Sequence, residues 1–213
     1  MMKKLNYFTS ALLLGIVLLG AGCSKKNADA NLEGGVLING VIWAKCNVGA
    51  PGTFAANPED VGMFYQWNRR VGWSATGNPP SSSPSGMTWN STGDTGSSWI
   101  AENDPCPPGW RVPTLAQFEL LVADAVTKTF DIKNGVKGLF LKQGSNEIFL
   151  PIVNWRLTNG NLSSSDAQSL YWSNTKHSNN SPYYLNLVWN TNYYSANAIG
   201  NSAFGNSVRC VKK

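Results

Sequence analysis

The sequence predicts an α+β fold in which short antiparallel strands, one main helix and long irregular loops are combined. Three observations favour this class. The 213 residues include 21 Gly, 11 Pro and 9 Trp, which leaves little room for long uninterrupted helices. Only residues 114–127 place apolar side chains clearly at helical spacing. Several short apolar runs, separated by Gly, Asn and Ser, have the length of strands.

The first predicted element is a β-hairpin. Two apolar runs, 36–38 and 41–43, flank Asn39-Gly40, which between strands is the strongest short-range signal for a type I′ turn. Clusters of Gly, Asn and Ser separate the later strand candidates, which favours antiparallel pairing. Those candidates are the runs at 63–67, 138–142, 147–151, 170–174, 183–189 and 207–212.

The predicted helix follows Pro113. Thr114 can act as the N-cap, and Gln117 stands three residues later, as in a capping box. We therefore predict a helix over about 114–127 whose apolar face packs on the sheet. That face is formed by Leu115, Phe118, Leu121, Val122 and Ala125.

Residues 69–104 show no periodic pattern. Gly, Pro, Ser, Thr and Asn dominate, and Trp73, Trp89 and Trp99 interrupt them. Segments this long without structure are uncommon in a compact domain, so this one either carries function or is held to the body by its indoles. The Pro/Ser-rich stretch at 78–86 is expected to be a surface loop, because the apolar segments beside it are too short to close separate cores.

Composition excludes some classes of partner. Hydrophobic residues make up 42% of the chain, enough for a core, and charged residues 14%, below the ~25% of a typical soluble domain. The formal charge of +5 comes from dispersed side chains. Because a phosphate backbone demands a concentrated basic surface, nucleic acid is not an expected partner.

The N-terminal segment has the pattern of a secretion signal. Lys3 and Lys4 precede an apolar run at 11–19, shorter than the ~20 residues that span a bilayer. Small residues then lead into Cys23, which resembles the lipobox of bacterial lipoproteins, where the cysteine is acylated and the preceding peptide removed. The alternative is an ordinary cleaved signal with an unmodified cysteine. The expected organisation is a signal peptide (1–22), an acylated cysteine with a flexible tether (23–35) and a domain (36–213).

Five blocks carry a resemblance to a known family. They are WAKCNVG at 43–49, CPPGWRVPT at 106–114, FLP at 149–151, YWSN at 171–174 and GNSVRCV at 205–211. In order and spacing they resemble the Fibrobacter succinogenes major paralogous domain. Such domains are similar to the C-type-lectin-like fold and the formylglycine-generating enzyme fold, and occur in secreted or lipid-anchored bacterial proteins, some of them adhesin-like. The resemblance therefore implies a C-type-lectin-like fold.

Three cysteines follow Cys23, namely Cys46, Cys106 and Cys210. An odd number allows at most one bridge among them in an oxidising compartment. The resemblance implies that Cys106 pairs with Cys210, which leaves Cys46 as a buried free thiol. The rival pairing joins Cys46 to Cys106. Arg209, beside Cys210, is expected to have a paired structural role.

Candidate catalytic groups are few. The formylglycine-generating branch uses a closely spaced cysteine pair in its C-terminal part, whereas this chain has only Cys210 there. His177 is the only histidine, so His-dependent chemistry would have to be built around one loop side chain. Glu102 and Asp104 are the best glycosidase pair, but an Asp-Pro dipeptide favours a turn. We expect no enzyme, with a carbohydrate-active hydrolase as the distant alternative.

No cofactor is expected. Calcium-dependent sugar binding in true C-type lectins needs Glu-Pro-Asn or Gln-Pro-Asp together with Trp-Asn-Asp. The nearest strings here, NSP at 180–182 and WSN at 172–174, lack the carboxylates. Calcium is therefore possible in this fold but has no motif to support it.

Aromatic rings beside short amides are the candidate ligand-binding groups. Indole and phenol faces suit the apolar face of a sugar, and amides suit its hydroxyl rim. Because alternate side chains of a strand point inward, about half of the rings are expected in the core. The set is Trp73, Trp89, Trp99, Tyr183, Tyr184, Trp189, Asn190, Asn192, Tyr193 and Tyr194.

Together these patterns predict a non-catalytic binding or adhesion module of the cell envelope. Its expected partners are the outer membrane, reached through the N-terminal lipid, and an envelope glycan or protein. A structural subunit of a surface or pilus assembly is the alternative from a different class.

Overall fold

The computed structural model describes residues 34–177 and 181–213, which form the α+β architecture predicted from the sequence. These residues contain fourteen short strands, one α-helix and two 3-10 turns, at Ala101–Asn103 and Trp189–Thr191. The expected signal peptide and Cys23 lie outside the described residues, as does most of the tether. No helix in the described part is long and apolar enough to cross a bilayer.

The strands are numbered along the chain. They are β1 (Gly35–Ile38), β2 (Val41–Ala44), β3 (Phe64–Gln66), β4 (Gly72–Trp73), β5 (Ser82–Ser83), β6 (Trp110–Arg111), β7 (Thr127–Lys133), β8 (Val136–Gln143), β9 (Asn146–Pro151), β10 (Gln168–Lys176), β11 (Pro182–Val188), β12 (Tyr193–Ile199), β13 (Gly205–Asn206) and β14 (Val211–Lys212). The helix, α1, is Leu115–Leu121.

The strands form four small antiparallel sheets. Their strand orders are β1-β2-β14-β6, β10-β11-β12, β13-β3-β4-β5 and β7-β8-β9. In the first sheet β14, at the end of the chain, lies between the N-terminal hairpin and β6, because Val211 pairs with both Trp43 and Arg111. The beginning and the end of the described chain are therefore joined in one sheet.

Two Asn-Gly turns close hairpins. Asn39 and Gly40 have φ values of 46° and 78°, so the predicted type I′ turn between β1 and β2 is confirmed. Asn134 and Gly135 have nearly the same geometry, with φ values of 49° and 82°, and join β7 to β8. The second hairpin was not predicted from the sequence.

Helix α1 is shorter than predicted. Its start is as expected, since Thr114 and Gln117 form a complete capping box. Its predicted end at residue 127 is wrong, because the helix stops at Leu121 and β7 begins at Thr127. Pairing of β7 with β8 overrides the helical spacing, and the Lys128 ammonium caps the helix by donating to two carbonyl oxygens at its end.

The predicted strands are confirmed in most places. Those at 138–142, 147–151 and 170–174 correspond to β8, β9 and β10. The strand predicted at 207–212 is wrong in its first part, because only Val211–Lys212 is regular strand there. The runs predicted at 63–67 and 183–189 correspond to β3 and β11. Strands β4, β5, β6, β7, β12 and β13 were not predicted.

The sheet β10-β11-β12 lies between two hydrophobic clusters. On one face, Tyr171 and Leu185 belong to a cluster that also holds Phe118 of α1. On the other face, the adjacent Trp172 belongs to a second cluster that contains the disulfide. This alternation is what a sheet buried on both faces requires.

The disulfide predicted from the family resemblance is present. Cys106 and Cys210 are bonded, with their Cα atoms 6.1 Å apart, and the bridge closes 104 residues of chain. The rival pairing of Cys46 with Cys106 is therefore wrong. Cys46 is buried as expected, but it is disulfide-bonded rather than a free thiol, so that part of the expectation is also wrong.

Arg209 has the structural role predicted for it, and most of its partners are backbone oxygens. It is fully buried, and its guanidinium donates to the carbonyl oxygens of Ala44, Lys45 and Phe149 and to the side-chain oxygen of Asn47. Burial lowers the pKa of Arg209 to about 10. The side chain thus links the residues after β2 to β9 and to the approach to β14.

We expect the Cys106–Cys210 bridge to contribute substantially to stability. Replacing both cysteines with Ser should lower the free energy of unfolding by about 4 to 5 kcal/mol, since the bridge closes a loop of about a hundred residues in the unfolded chain. Urea denaturation of the two proteins measures the difference. In the matched control Cys46→Ser, peptide mapping by mass spectrometry should recover the Cys106–Cys210 bridge, and its loss would contradict the assignment.

Candidate functional site

Residues 69–104, called here the irregular segment, are held to the body by their indoles, one of the two outcomes expected from the sequence. Trp73 is buried and packs edge-to-face against Trp89, with ring centroids 5.1 Å apart. Trp89 also donates from its indole nitrogen to the carbonyl oxygen of Thr158. Trp99 packs against the buried Trp67 at 5.5 Å. Each indole therefore fixes a different part of the segment.

A buried arginine holds the first half of the irregular segment. Arg156 is fully buried, and its Nε and Nη2 atoms both donate to the Ser74 carbonyl oxygen, at 3.0 and 2.9 Å. Nη2 also donates to the carbonyls of Thr76 and Gly77, and Nη1 donates to that of Gly160. Burial lowers the pKa of Arg156. Its donors satisfy loop carbonyls that no strand partner reaches.

An open groove of about 450 Å³ lies between the second half of the irregular segment and the turn after β12. It is at one end of the sheet β10-β11-β12, because it includes the residue before β11 and the last residue of β12. Most of its side chains carry a hydroxyl, an amide or a carboxylate. The lining residues are Thr92, Asp94, Thr95, Ser181, Ile199, Gly200, Asn201 and Ser202.

The two walls of the groove are joined directly. The Ser202 hydroxyl accepts from the Asp94 amide and donates to the Asp94 carbonyl, both at 3.0 Å. Gly93 is needed at this contact, because a Cβ there would lie 2.3 Å from the Ser202 oxygen and its φ is +73°. Any other residue at this position would push the walls apart.

Lys176 of β10 holds the wall of the groove that the irregular segment forms. Its ammonium donates to the carbonyl oxygens of Asp94 and Gly96 and lies 4.6 Å from the centroid of the Trp67 ring. Burial lowers the pKa of Lys176, while the nearby Asp94 carboxylate acts in the opposite direction. The lysine is thus a positioning residue for the groove.

Several polar groups of the groove have no hydrogen-bond partner among the described residues. Asn201 is exposed, and its Oδ1 atom accepts from the Ala203 amide at 2.9 Å. Within the described residues, the Asn201 amide nitrogen and the hydroxyls of Thr95 and Ser181 make no hydrogen bond. These donors and acceptors are available to a ligand.

The Asp94 carboxylate is the charged group of the groove. One oxygen accepts from the Gly96 amide at 2.7 Å, and the other lies 3.8 Å from Nε of Arg69. The Asp94 side chain is 16% exposed, whereas that of Arg69 is 45% exposed. The carboxylate therefore faces the groove with its charge partly balanced by a solvated cation.

The structure does not bring the predicted ligand-binding residues together. Tyr183 pairs with Ile199 at the groove end of the β11–β12 ladder, whereas Val188 pairs with Tyr193 at the opposite end. Six strand residues at about 3.4 Å each separate the two ends by roughly 20 Å. Trp73, Trp89 and Trp99 are anchors of the irregular segment instead. The predicted residues at the opposite end, called here the distal cluster, are Trp189, Asn190, Asn192, Tyr193 and Tyr194.

Packing uses most rings of the distal cluster. Trp189 packs edge-to-face on Phe130, and Tyr194 lies under the Lys128 ammonium, which is 5.8 Å from its ring centroid. Tyr193 is 51% exposed and is the most open ring of the cluster. Asn192 has left-handed backbone geometry, with φ +49°, at the tight turn into β12.

The two tyrosines near the groove also pack against neighbours. Tyr184 contacts the buried Trp172 edge-to-face, with centroids 5.9 Å apart, and burial raises the pKa of its hydroxyl. Tyr183 contacts the ring of His177 in the same manner at 5.5 Å. Neither tyrosine lines the groove, although Tyr183 is the cross-strand partner of Ile199, which does.

The carboxylates considered for glycosidase chemistry have separate environments. Asp104 accepts from the backbone amides of Cys106 and Val112, at 2.9 and 3.1 Å, while Glu102 is exposed on a 3-10 turn. Asp104 therefore ties the segment before α1 to the disulfide, which agrees with the turn-forming role favoured by the sequence. The described residues contain no group of three His, Cys, Asp or Glu side chains that could hold a metal ion.

The titration of Asp104 provides a test of its structural role. Burial raises the pKa of its carboxyl above the ordinary value, and the two amide hydrogen bonds oppose this only in part. A carboxyl with a raised pKa in the folded protein stabilises the fold most when protonated, so its contribution falls as the pH rises through that pKa. We expect the free energy of unfolding of the wild type, minus that of Asp104→Asn, to decrease with rising pH across the acid range. Urea denaturation at several pH values measures this difference, and an increase with pH would show that the two amide hydrogen bonds, and not burial, dominate the pKa of Asp104.

The groove residues were not predicted from the sequence. Asp94, Asn201 and Ser202 stand in stretches rich in Asn, Ser and Gly, where no local pattern distinguishes one polar residue from the next. The partners that define the site are far apart in the chain, with 82 residues between Lys176 and Asp94 and 108 between Ser202 and Asp94. Only the three-dimensional structure brings them together.

Comparison with protein-family models, with curated proteins and with solved structures finds no match to this chain. The chemistry of the groove is therefore the basis on which a function can be assigned.

Proposed function

We propose that this chain is a lipid-anchored recognition module of the bacterial cell envelope, which uses the groove to bind a glycan or protein ligand. The groove itself carries the proposal. Its walls are fixed to each other through Ser202 and Asp94, and unused donors and acceptors line it. A polar site that is already ordered loses little conformational freedom on binding, which favours recognition.

We propose further that the fold is C-type-lectin-like. The evidence in favour is the pairing of β14 with the N-terminal hairpin, the Cys106–Cys210 bridge and the long irregular segment that provides one wall of the groove. Three of the five sequence blocks that resemble the major paralogous domain, at 43–49, 106–114 and 205–211, supply the bridge or strands of the first sheet. This fold supports binding in many proteins, so the site and not the fold decides the function.

The module is proposed to be non-catalytic. Asp104, the better placed member of the carboxylate pair, has both oxygens occupied by backbone amides, and Glu102 is exposed on the 3-10 turn. The groove contains a single carboxylate, Asp94, with a hydrogen bond to the backbone of its own loop. General acid–base chemistry on a glycoside uses two such groups.

A structural role in a surface or pilus assembly is the second candidate. The observation that favours it is β7, which is an edge strand of its sheet and carries Ile132 with 55% exposure. Edge strands can pair with a strand of another chain. The charged residues Lys128, Asp131 and Lys133 on the same strand oppose such pairing.

We expect the groove to be the place of ligand binding. A tryptophan at the exposed position 95 should fill it, so Thr95→Trp should weaken binding to an envelope glycan or protein at least about tenfold. The matched control Thr191→Trp places the same ring in the exposed turn of the distal cluster, about 20 Å away by strand length. The experiment screens an array of envelope glycans and an envelope protein extract with the full chain in a detergent without a sugar headgroup.

The outcomes separate the candidates. Binding lost in Thr95→Trp alone supports the proposal, and binding lost in Thr191→Trp alone moves the site to the distal cluster. Stable crosslinking into a larger envelope complex with no glycan or protein ligand in the screen would favour the assembly role. Turnover of a glycan that Asp104→Asn or Glu102→Gln abolishes would contradict a non-catalytic module.

Lipid anchoring has its own test. In a bacterial host the mature protein should begin at Cys23, carry acyl chains there and fractionate with the outer membrane, whereas Cys23→Ser should be released from it. Intact-mass measurement and peptide mapping of both proteins provide the readout. Because an acylated Cys23 cannot be the partner of the disulfide-bonded Cys46, recovery of a Cys23–Cys46 bridge would contradict the anchoring proposal, and so would an unprocessed N-terminus.

A further inference from the structure

The chemical class of the ligand can be argued from the groove, on the basis of the proposed function. We propose that the groove binds an uncharged hexose unit of a glycan, with Asn201, Thr95 and Ser181 bonded to its hydroxyls and Ile199 against its C–H face. Four features of the groove lead to this class.

The first feature is size. A volume of about 450 Å³ lies at the small end of ligand sites, where one or two sugar rings fit and a folded protein surface does not enter. The groove is open on one side, so a terminal or penultimate sugar of a longer chain can occupy it while the remainder leaves through the opening.

The second feature is the kind of polar group. The Asn201 amide nitrogen is a donor, and the hydroxyls of Thr95 and Ser181 can both donate and accept. Sugar hydroxyls also do both, so each can bond to a donor and an acceptor of the groove at once. The Asp94 carboxylate, on the opposite wall from Asn201, adds an acceptor for a neighbouring hydroxyl.

The third feature is charge. No lysine or arginine is among the described residues that line the groove, although the whole chain has a formal charge of +5. Lys176 points its ammonium at the carbonyls of Asp94 and Gly96 and at the Trp67 ring, so it is engaged within the protein. The only charge in this described lining is the Asp94 carboxylate, which the exposed Arg69 side chain balances in part. The remaining negative charge would repel a carboxylated, sulfated or phosphorylated sugar.

The fourth feature is the apolar contact. Ile199 is 48% exposed and is the only large aliphatic side chain among the described lining residues. It can cover the C–H face of one pyranose ring, whereas none of these residues offers an aromatic ring to stack on it. We therefore expect a weak monosaccharide affinity, with a Kd on the order of 1 mM, which many anchored copies would strengthen through multivalent contact.

The test compares neutral and charged monosaccharides on the full chain, kept in a detergent without a sugar headgroup. The probes are the methyl glycosides of glucose, galactose and mannose, with glucuronic acid and sialic acid as charged counterparts. Saturation-transfer NMR detects binding, and titration gives the Kd. We expect at least one neutral hexoside to bind in the millimolar range and both acidic sugars to bind at least about tenfold more weakly.

Matched variants locate the bound sugar. Asn201→Asp keeps the oxygen that accepts from the Ala203 amide, so the turn retains its hydrogen bond while the donor is lost. We expect it to weaken hexoside binding about tenfold, and Asn190→Asp, the same change in the distal cluster, to leave the Kd unchanged. Thr95→Val, which removes only an exposed hydroxyl, provides an independent variant if Asn201→Asp fails to fold by circular dichroism.

Each outcome decides the inference separately from the proposed function. Tighter binding of an acidic sugar, or a Kd unaffected by Asn201→Asp and Thr95→Val, overturns the neutral hexose in the groove. Loss of binding in Asn190→Asp alone places the sugar at the distal cluster and overturns the inference, while recognition itself stands. A third result would be that no hexoside binds, while the screen captures a protein ligand whose binding is lost in Thr95→Trp. In that case the inference is again overturned and the proposed function stands. If the screen captures no ligand of any kind, both fail.

Discussion

Two buried guanidinium groups provide the hydrogen-bond donors that the irregular backbone inside this protein requires. Arg156 and Arg209 are both fully buried, and each is surrounded by carbonyl oxygens from segments distant in the chain. Carbonyls outside helices and sheets need donors, and leaving them buried without any costs about 1 to 3 kcal/mol each. One arginine offers five donors at a single point, which suits loops better than any other side chain. The charge is balanced by carbonyl dipoles, since no carboxylate bonds to either group among the described residues.

The groove depends on this arrangement through a short chain of contacts. Arg156 fixes residues 74–77, and Trp73, beside them, packs against Trp89. Gln66 of β3 exchanges two hydrogen bonds with the backbone of Asn90, which follows Trp89 and precedes the groove. From there Asn90, Lys176 and Ser202 hold residues 92–96 in place. The irregular segment is therefore rigid without being regular. Rigid loops on a sheet scaffold are a common way to build a recognition site, because the ordering is complete before the ligand arrives.

Features that depend on neighbouring residues could be predicted from the sequence, whereas features that depend on contacts between distant residues could not. The Asn39-Gly40 turn and the Thr114 capping box act over four residues, so their residue types alone predict them. The Asn134-Gly135 dipeptide carries the same signal and could have predicted the β7–β8 hairpin. The end of α1 could not be read in this way, because pairing of β7 with β8 decides it. The disulfide followed from the family resemblance. Arg156 and the groove had no local signal, since their contacts join residues 79 to 108 positions apart.

The most direct measurement of this dependence is amide hydrogen exchange in Arg156→Lys. The control is Arg111→Lys, because the Arg111 guanidinium donates to the Val112 carbonyl and the Gln117 side chain, away from the groove. Lysine keeps the charge, but its single ammonium group cannot replace the three guanidinium nitrogens with which Arg156 bonds to four carbonyl oxygens. We expect exchange to accelerate at least about tenfold for the hydrogen-bonded amides of Ser74, Gly93 and Gly96, while the β7–β8 hairpin keeps its wild-type protection. A folded Arg156→Lys protein with unchanged protection in residues 74–96 would contradict the account, and so would an equal loss in both regions.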